Sequence, residues 1–164
     1  MTEDQLYQFL QQHDIPYTRY EHPAVYTVEQ ANAHLQDAPG ARTKNLFLSD
    51  EKKENYYLLW MQSDAQVNFK RLGKEQGLGK ARFGSPEKLM EYLGLEPGSV
   101  SVLSLVNDPQ QRVTLLIDRS LWEAESFQCH PLVNTATLVI ARPDVERFFD
   151  LTAHTYRLID VPVK

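Results

Sequence analysis

Two neighbouring apolar runs constrain this chain more than any other feature. Asn45-Leu46-Phe47-Leu48 and Tyr56-Tyr57-Leu58-Leu59-Trp60-Met61 flank a charged loop at residues 50–55, the layout of a β-hairpin. The second run is apolar at successive positions, so both of its faces must be covered, as in a central strand. Such a strand demands packed layers on either side. The length of 164 residues suits one layered domain. A composition of 42% hydrophobic and 24% charged residues excludes a disordered or collagen-like chain.

The other segments sort by period and punctuation. Thr2-Glu3-Asp4-Gln5 has capping-box spacing ahead of a helical stripe of Leu6, Phe9 and Leu10, which Pro16 ends. Residues 17–21 read as a short strand. Thr27-Val28-Glu29-Gln30 opens a second helix to about Leu35, and a third falls near 67–76. Ser85-Pro86 supplies an N-cap and a first-turn proline for a helix over 85–93, closed by Gly94. Residues 100–106, 113–117, 135–141 and 156–161 read as strands from their β-branched content. Arg142-Pro143-Asp144 starts a last helix through Phe149. Several strands follow one another with no helix between them, which speaks against an all-parallel doubly wound sheet. The expectation is one α+β domain over 1–164, with a mixed, mostly antiparallel curved sheet flanked by helices.

Motif chemistry narrows by elimination. No stretch is long and apolar enough to span a membrane, and the N-terminal stretch is too acidic and polar for a signal peptide. The single cysteine, Cys129, has no partner within the chain, which fits a reducing cytoplasm. His13, His22, His34, His130 and His154 show no metal-ligand spacing, so neither a metal nor a cofactor is expected. Gly77-Leu78-Gly79 begins like a dinucleotide loop, but Arg82 stands where a third glycine is needed. No Gly-x-Ser-x-Gly elbow is present. Cys129 and His130 are neighbours on an extended segment and face opposite ways, so the thiol reads as structural.

Charge is uneven. The net charge of −5 speaks against a surface that coats nucleic acid, DNA included. Residues 70–84 nevertheless gather Lys70, Arg71, Lys74, Lys80 and Arg82 against the single acid Glu75. That segment reads equally as a docking patch for a polyanion or as a solvated face. Three further segments carry polar groups in unusual places. Gly40-Ala41-Arg42-Thr43-Lys44-Asn45 sets Lys44 at the mouth of an apolar strand, where an ammonium meets phosphate or a developing oxyanion. Pro97-Gly98-Ser99-Val100-Ser101 is a small-residue turn that lets backbone approach a ligand. Residues 129–137 string polar groups before and along a β run. Each alone also reads as structure: a solvated lysine, a turn, a satisfied histidine.

In this order the segments resemble the YbaK/ProX-type editing domains, free-standing relatives of the insertion domain of bacterial prolyl-tRNA synthetases. The resemblance rests on Glu21-His22-Pro23 with Tyr26-Thr27-Val28-Glu29, then on Thr43-Lys44-Asn45-Leu46-Phe47-Leu48. It continues through Gly98-Ser99-Val100-Ser101 to Asn107-Asp108, and through His130-Pro131 with Asn134, Thr135 and Thr137. The Lys-Asn-Leu-Phe-Leu and His-Pro-x-x-Asn-Thr-x-Thr forms are most similar to the ProX branch, which deacylates alanyl-tRNA(Pro). What the resemblance implies is a metal-independent aminoacyl-tRNA hydrolase acting in trans on mischarged tRNA, beside prolyl-tRNA synthetase.

By the same resemblance, Lys44, Gly98 and His130 would carry catalysis. Asn45, Ser99, Val100, Ser101, Asn134, Thr27 and Tyr20 would bind substrate, and the ribose 2′-hydroxyl would join the chemistry. Lys70, Arg71, Lys74, Lys80 and Arg82 would then meet the acceptor stem. One departure stands out: the family's loop runs Gly-x-x-x-Pro, whereas this chain has Val102 in the proline's place, which removes a fixed φ. That bears on rate and selectivity more than on fold. A non-catalytic homologue that binds tRNA or a synthetase stays open as an alternative, as does a hydrolase of a different small molecule or an interaction protein.

Overall fold

The double-sided run becomes a central strand because its alternate residues enter two different cores. In the computed structural model, which describes residues 1–25 and 27–164, strand β3 spans Tyr56–Gln62 and pairs antiparallel with β2 (Thr43–Ser49). Tyr56, Leu58 and Trp60 face one buried cluster, while Leu59 and Met61 face the other. β5 (Val113–Asp118) lies parallel to β3 on its far side and splits the same way, with Leu115 and Ile117 on one face and Leu116 on the other. β4 (Arg82–Phe83) and β8 (Tyr156–Ile159) complete a five-stranded sheet in the order β4-β2-β3-β5-β8.

A second sheet of three antiparallel strands, β1 (Thr18–Glu21), β7 (Ala136–Ala141) and β6 (Ser126–Cys129), stands beside it. The α+β class and the antiparallel majority of pairings match expectation. The single curved sheet does not: strand pairing divides into two sheets, tied at a bridge between Ala41 and Phe127. Ala41 donates to the Ser126 carbonyl and accepts from Gln128, at 2.9 and 3.0 Å. Beyond this tie β2 leaves β6 for β3, because β3 covers the whole length of β2.

Helices close the layers. α1 (Glu3–Gln12) carries the expected capping box between Thr2 and Gln5 and buries Leu6 and Leu10. α2 (Val28–His34) starts where Thr27 Oγ1 accepts from the Gln30 amide at 3.1 Å; Tyr26, part of the motif before it, lies outside the described residues. α3 (Phe69–Gln76) packs Leu72 into the smaller core. α4 (Pro86–Leu93) has its Ser85 cap and left-handed Gly94. The short α5 (Arg119–Trp122), unpredicted, and α6 (Arg142–Leu151) bring Trp122 and Phe149 against Trp60 and Phe127, the aromatic centre of the larger core.

Residues 100–106, expected as a strand, instead contain a 3-10 helix at Val102–Asn107. Ser101 decides this: its hydroxyl accepts from the Leu103 amide at 3.1 Å and donates to the His130 carbonyl at 2.5 Å. Such a cap outweighs the β propensity of a few valines. Asp108 ends the turn by accepting from the amides of Arg112 and Val113 at 3.0 and 2.9 Å and by contacting buried His154 at 3.1 Å.

Candidate active site

Where the two sheets part, a hollow of about 200 Å³ opens. β2 supplies Thr43, Lys44 and Asn45; β6 and the residue after it supply Gln128, Cys129 and His130. Gly98 and Val100 come from the turn before the 3-10 helix, and Thr27 and Ala31 from the start of α2. Three segments far apart in sequence thus bring Lys44, Gly98 and His130 to one hollow, with Asn45, Val100 and Thr27 beside them.

Lys44 is half-buried, and its ammonium donates to the Ala65 carbonyl. Burial holds its pKa below the usual lysine range, partly offset by the charge of Asp64. His130 is held the other way round, through its carbonyl to Ser101 and through its ring to Ala136. A carbonyl only accepts, so Nδ1 carries the proton that meets the Ala136 oxygen at 3.3 Å. In the neutral ring Nε2 is then the free lone pair. Burial pushes the His130 pKa down, and nearby His22 adds to the effect against the Ala136 hydrogen bond. Asn45 contributes a buried side-chain oxygen with no hydrogen-bond partner, and an unmade bond of this kind costs about 1–3 kcal/mol. It is an acceptor awaiting a donor.

Gly98 sits at φ +94°, a left-handed backbone that any side chain would strain. Its bend therefore reaches the hollow as bare peptide. Val102, in place of the family's proline, is the first residue of the 3-10 helix. A proline's missing amide costs nothing at that position, and here the Ser101 hydroxyl sets the start of the helix instead.

Four of the residues expected to bind substrate do not line the hollow. Tyr20 lies in β1 opposite Thr137. Ser99 closes a turn through its amide to the Glu96 carbonyl at 3.2 Å. Ser101 caps the 3-10 helix, and Asn134 donates to the Val25 carbonyl at 3.0 Å. Asn134 acts at one remove, since Val25 lines the hollow. The histidine of the His22-Pro23 motif is likewise a support: its Nε2 meets Thr137 Oγ1 at 2.9 Å, and Thr137 lines the hollow.

The sequence reading missed Arg42, Ser63 and Gln128, which also line it. Gln128 accepts from Thr43 Oγ1 at 2.6 Å through its carbonyl and ties its amide to Pro39 at 3.2 Å. The Ala41 bridge helps to bring it there, and local sequence carries no sign of that pairing. Cys129 and His130 both line the hollow, but the Cys129 thiol is buried in the larger core. Burial alone pushes the thiol's pKa far up, which suits a structural role. Among the described residues no group of three or more His, Cys, Asp or Glu side chains is gathered to hold a metal ion.

The family model for the aminoacyl-tRNA editing domain matches residues 22–148, which span every element of the hollow. The chain belongs to this editing-domain family. Prolyl-tRNA synthetase associated domain-containing protein 1 of Danio rerio is 35% identical over 153 residues, covering 92% of this chain and 83% of that one. Prolyl-tRNA editing protein ProX of Acetoanaerobium sticklandii is 32% identical over 147 residues, 90% of each chain. The editing-domain fold recurs in a solved structure of a hypothetical protein, at TM-score 0.73 and 17% identity over 98% of this chain and 99% of that one. It recurs again in one described as a candidate trans-editing enzyme for prolyl tRNA synthetase, at TM-score 0.67 and 18% identity over 100% and 98%.

The basic segment of this editing domain is not one uniform patch. Lys70, Arg71 and Lys74 are exposed on α3, and Lys80 is exposed in the loop that follows. Arg71 is paired with Glu75 at 3.0 Å. Arg82 is half-buried on β4, with a buried Nε that has no partner. Among the described residues no helix is long and apolar enough to cross a membrane.

Proposed function

We propose that this protein is a trans-editing deacylase that hydrolyses the ester of mischarged tRNA, alanyl-tRNA(Pro) before others. The observation that carries the reading is the meeting of Lys44, Gly98 and His130 around one small hollow in a member of the editing-domain family. Relatives named for prolyl-tRNA editing and for association with prolyl-tRNA synthetase support the choice of tRNA. They also favour work beside that synthetase, and the single cysteine fits a reducing cytoplasm.

The chemistry asks little of the protein. An aminoacyl ester is already activated, so holding water and carbonyl in line and stabilising the oxyanion suffices. Water adds to the carbonyl carbon to give a tetrahedral oxyanion. The carbonyl re-forms as the ribose 3′-oxygen leaves with a proton, and free amino acid and tRNA result. Lys44, tethered at the Ala65 carbonyl, directs its remaining N–H groups to the developing oxyanion or the adjacent phosphate. The bare backbone around Gly98 orients the aminoacyl group. His130, neutral and with Nε2 unprotonated, accepts a hydrogen bond from the substrate or water. The unpartnered oxygen of Asn45 takes a donor from the α-ammonium or the ribose. The ribose 2′-hydroxyl joins the proton transfer, as the family resemblance implies.

Selectivity follows from size. A synthetase site built for proline cannot reject a smaller side chain on steric grounds, and one methylene is worth only about 1–3 kcal/mol. A second site that admits alanine and refuses proline completes the sieve, and the hollow around Lys44 is the place for it. Lys70, Lys74 and Lys80 then hold the acceptor stem by its phosphates.

The test is release of alanine from alanyl-tRNA(Pro) by the wild type and by Lys44→Ala. Release by the first and not the second supports the reading. Binding without release identifies a non-catalytic tRNA-binding homologue. Release from seryl- or cysteinyl-tRNA instead revises the substrate.

A further inference from the structure

Phe83 is the most exposed of the large apolar side chains in the described structure, at 61%. It sits on the two-residue edge strand β4. An exposed phenylalanine on a sheet edge is a liability unless it has a use. Its surroundings are specific. Phe83 lies opposite Leu48 in register, so its side chain leaves the same face of the sheet as Leu48. Alternation along β2 puts Lys44 and Leu46 on that face too. α3 covers the face, and Phe69 at its start meets Phe83 edge-on with ring centroids 5.3 Å apart.

The strand that carries the ring is also held in place. Gly84 donates to the Phe47 carbonyl at 2.9 Å, and its backbone lies so close to the Phe47 ring that an added Cβ would fall 2.3 Å from it. Lys70, next to Phe69, and Lys74 and Lys80 carry no ion pair among the described residues, whereas Arg71 is engaged by Glu75. Arg82 alternates to the opposite face, where its register partner Ser49 is buried.

An exposed aromatic ring on a strand that follows a run of unpaired lysines in sequence has the composition of a single-strand stacking platform. We propose that Phe83 stacks on an unpaired base of RNA, the one next to the acceptor stem, while Lys70, Lys74 and Lys80 take the neighbouring phosphates. This rests on the deacylase reading for the choice of RNA. The spacing agrees with it. From Lys44 to Leu48, the partner of Phe83, β2 runs roughly 14 Å. Four single-stranded nucleotides take three steps, roughly 10 Å when stacked at about 3.4 Å each, and cover the same length when partly extended. An ester-bearing 3′ nucleotide at Lys44 therefore puts the first unpaired base after the stem at Phe83.

The experiment measures binding of an uncharged acceptor-stem hairpin with its single-stranded 3′ end, and of the same hairpin with an abasic residue next to the stem. Phe83→Ala weakens binding to the intact hairpin roughly tenfold, changes the abasic hairpin little, and leaves the salt dependence as it was. Phe83→Tyr and Phe83→Trp restore affinity, and thermal unfolding confirms that each variant folds. Equal affinity of Phe83→Ala and wild type overturns the inference. So does an equal loss with the abasic hairpin, failure of both aromatic variants, or a Phe83-dependent dimer in sedimentation. Because the hairpin carries no ester, a wild type that binds it without any hydrolase activity sinks the deacylase reading alone.

Discussion

The hollow around Lys44 and the basic face of α3 and β4 share strand β2, yet they are built by opposite means. The hollow draws single residues from segments far apart in sequence and half-buries them. It fixes each with a neighbour: Lys44 on Ala65, His130 on Ala136 and Ser101, Thr43 on Gln128. The basic face is one stretch of chain whose lysines stand free in solvent. The contrast teaches what each job requires. Stabilising a developing charge needs few groups in a poorly solvated place, so one deletion is costly. Attracting a polyanion needs many exposed charges, each contributing a little.

That contrast can be broken most sharply at Lys44. Lys44→Ala should lower kcat for alanyl-tRNA(Pro) by about 10²–10³-fold while tRNA affinity changes only a few-fold; single-turnover rates beside filter binding read both. Replacing Lys70, Lys74 and Lys80 together with Gln should do the reverse. Affinity should fall roughly tenfold at moderate salt and its salt dependence should flatten by nearly one log–log unit per lysine removed, with kcat at saturation retained. If the triple variant loses kcat and keeps its affinity, the division of labour is wrong.

A smaller effect separates the regions by pH. The His130 pKa is lowered, chiefly by burial, so the ring stays neutral as pH falls through the ordinary histidine value and gains its proton only below it. Hydrolysis that uses neutral His130 should hold level across that value and decline further down. The Lys44 pKa is lowered too, so its ammonium is lost at a lower pH than that of an exposed lysine, and the alkaline decline should come early. Rates of kcat/KM against pH, with spontaneous ester hydrolysis subtracted, show both limbs, and Lys44→Arg should move the alkaline one upward. Smallest is Ser101→Ala, which removes the cap of the 3-10 helix and frees the His130 carbonyl. It should cost about 1–2 kcal/mol of stability, read by denaturant unfolding, with only a modest loss of rate.

Sequence legibility differed between the same two regions. Local signals were sufficient where a helix carries its own start and stop. The Thr2–Gln5 box, Ser85-Pro86 and Gly94 all lie where the pattern put them. The basic segment was visible as composition, though not its division by Glu75 and by the half-buried Arg82. Residues 100–106 misled because valines and leucines suit a strand and a buried 3-10 turn alike. The tie-breaker, Ser101 against His130, is a contact across 29 positions. In the hollow, Lys44, Gly98 and His130 were named through ordered motifs. Arg42, Ser63 and Gln128 had no motif to announce them.

The sequence by itself determined every helix but the short α5 and the 3-10 turn, together with the double-sided central strand and the uneven charge, because caps, periodicity and composition act between near neighbours. Only the tertiary structure decided that the sheet divides in two, that Asn134 and Ser101 brace the site rather than line it, and that Lys44, Gly98 and His130 share one hollow. The physical reason is that the chain touches β6 at Ala41, just before β2, and then turns to β3. The space left between diverging sheets belongs to no single segment of the chain.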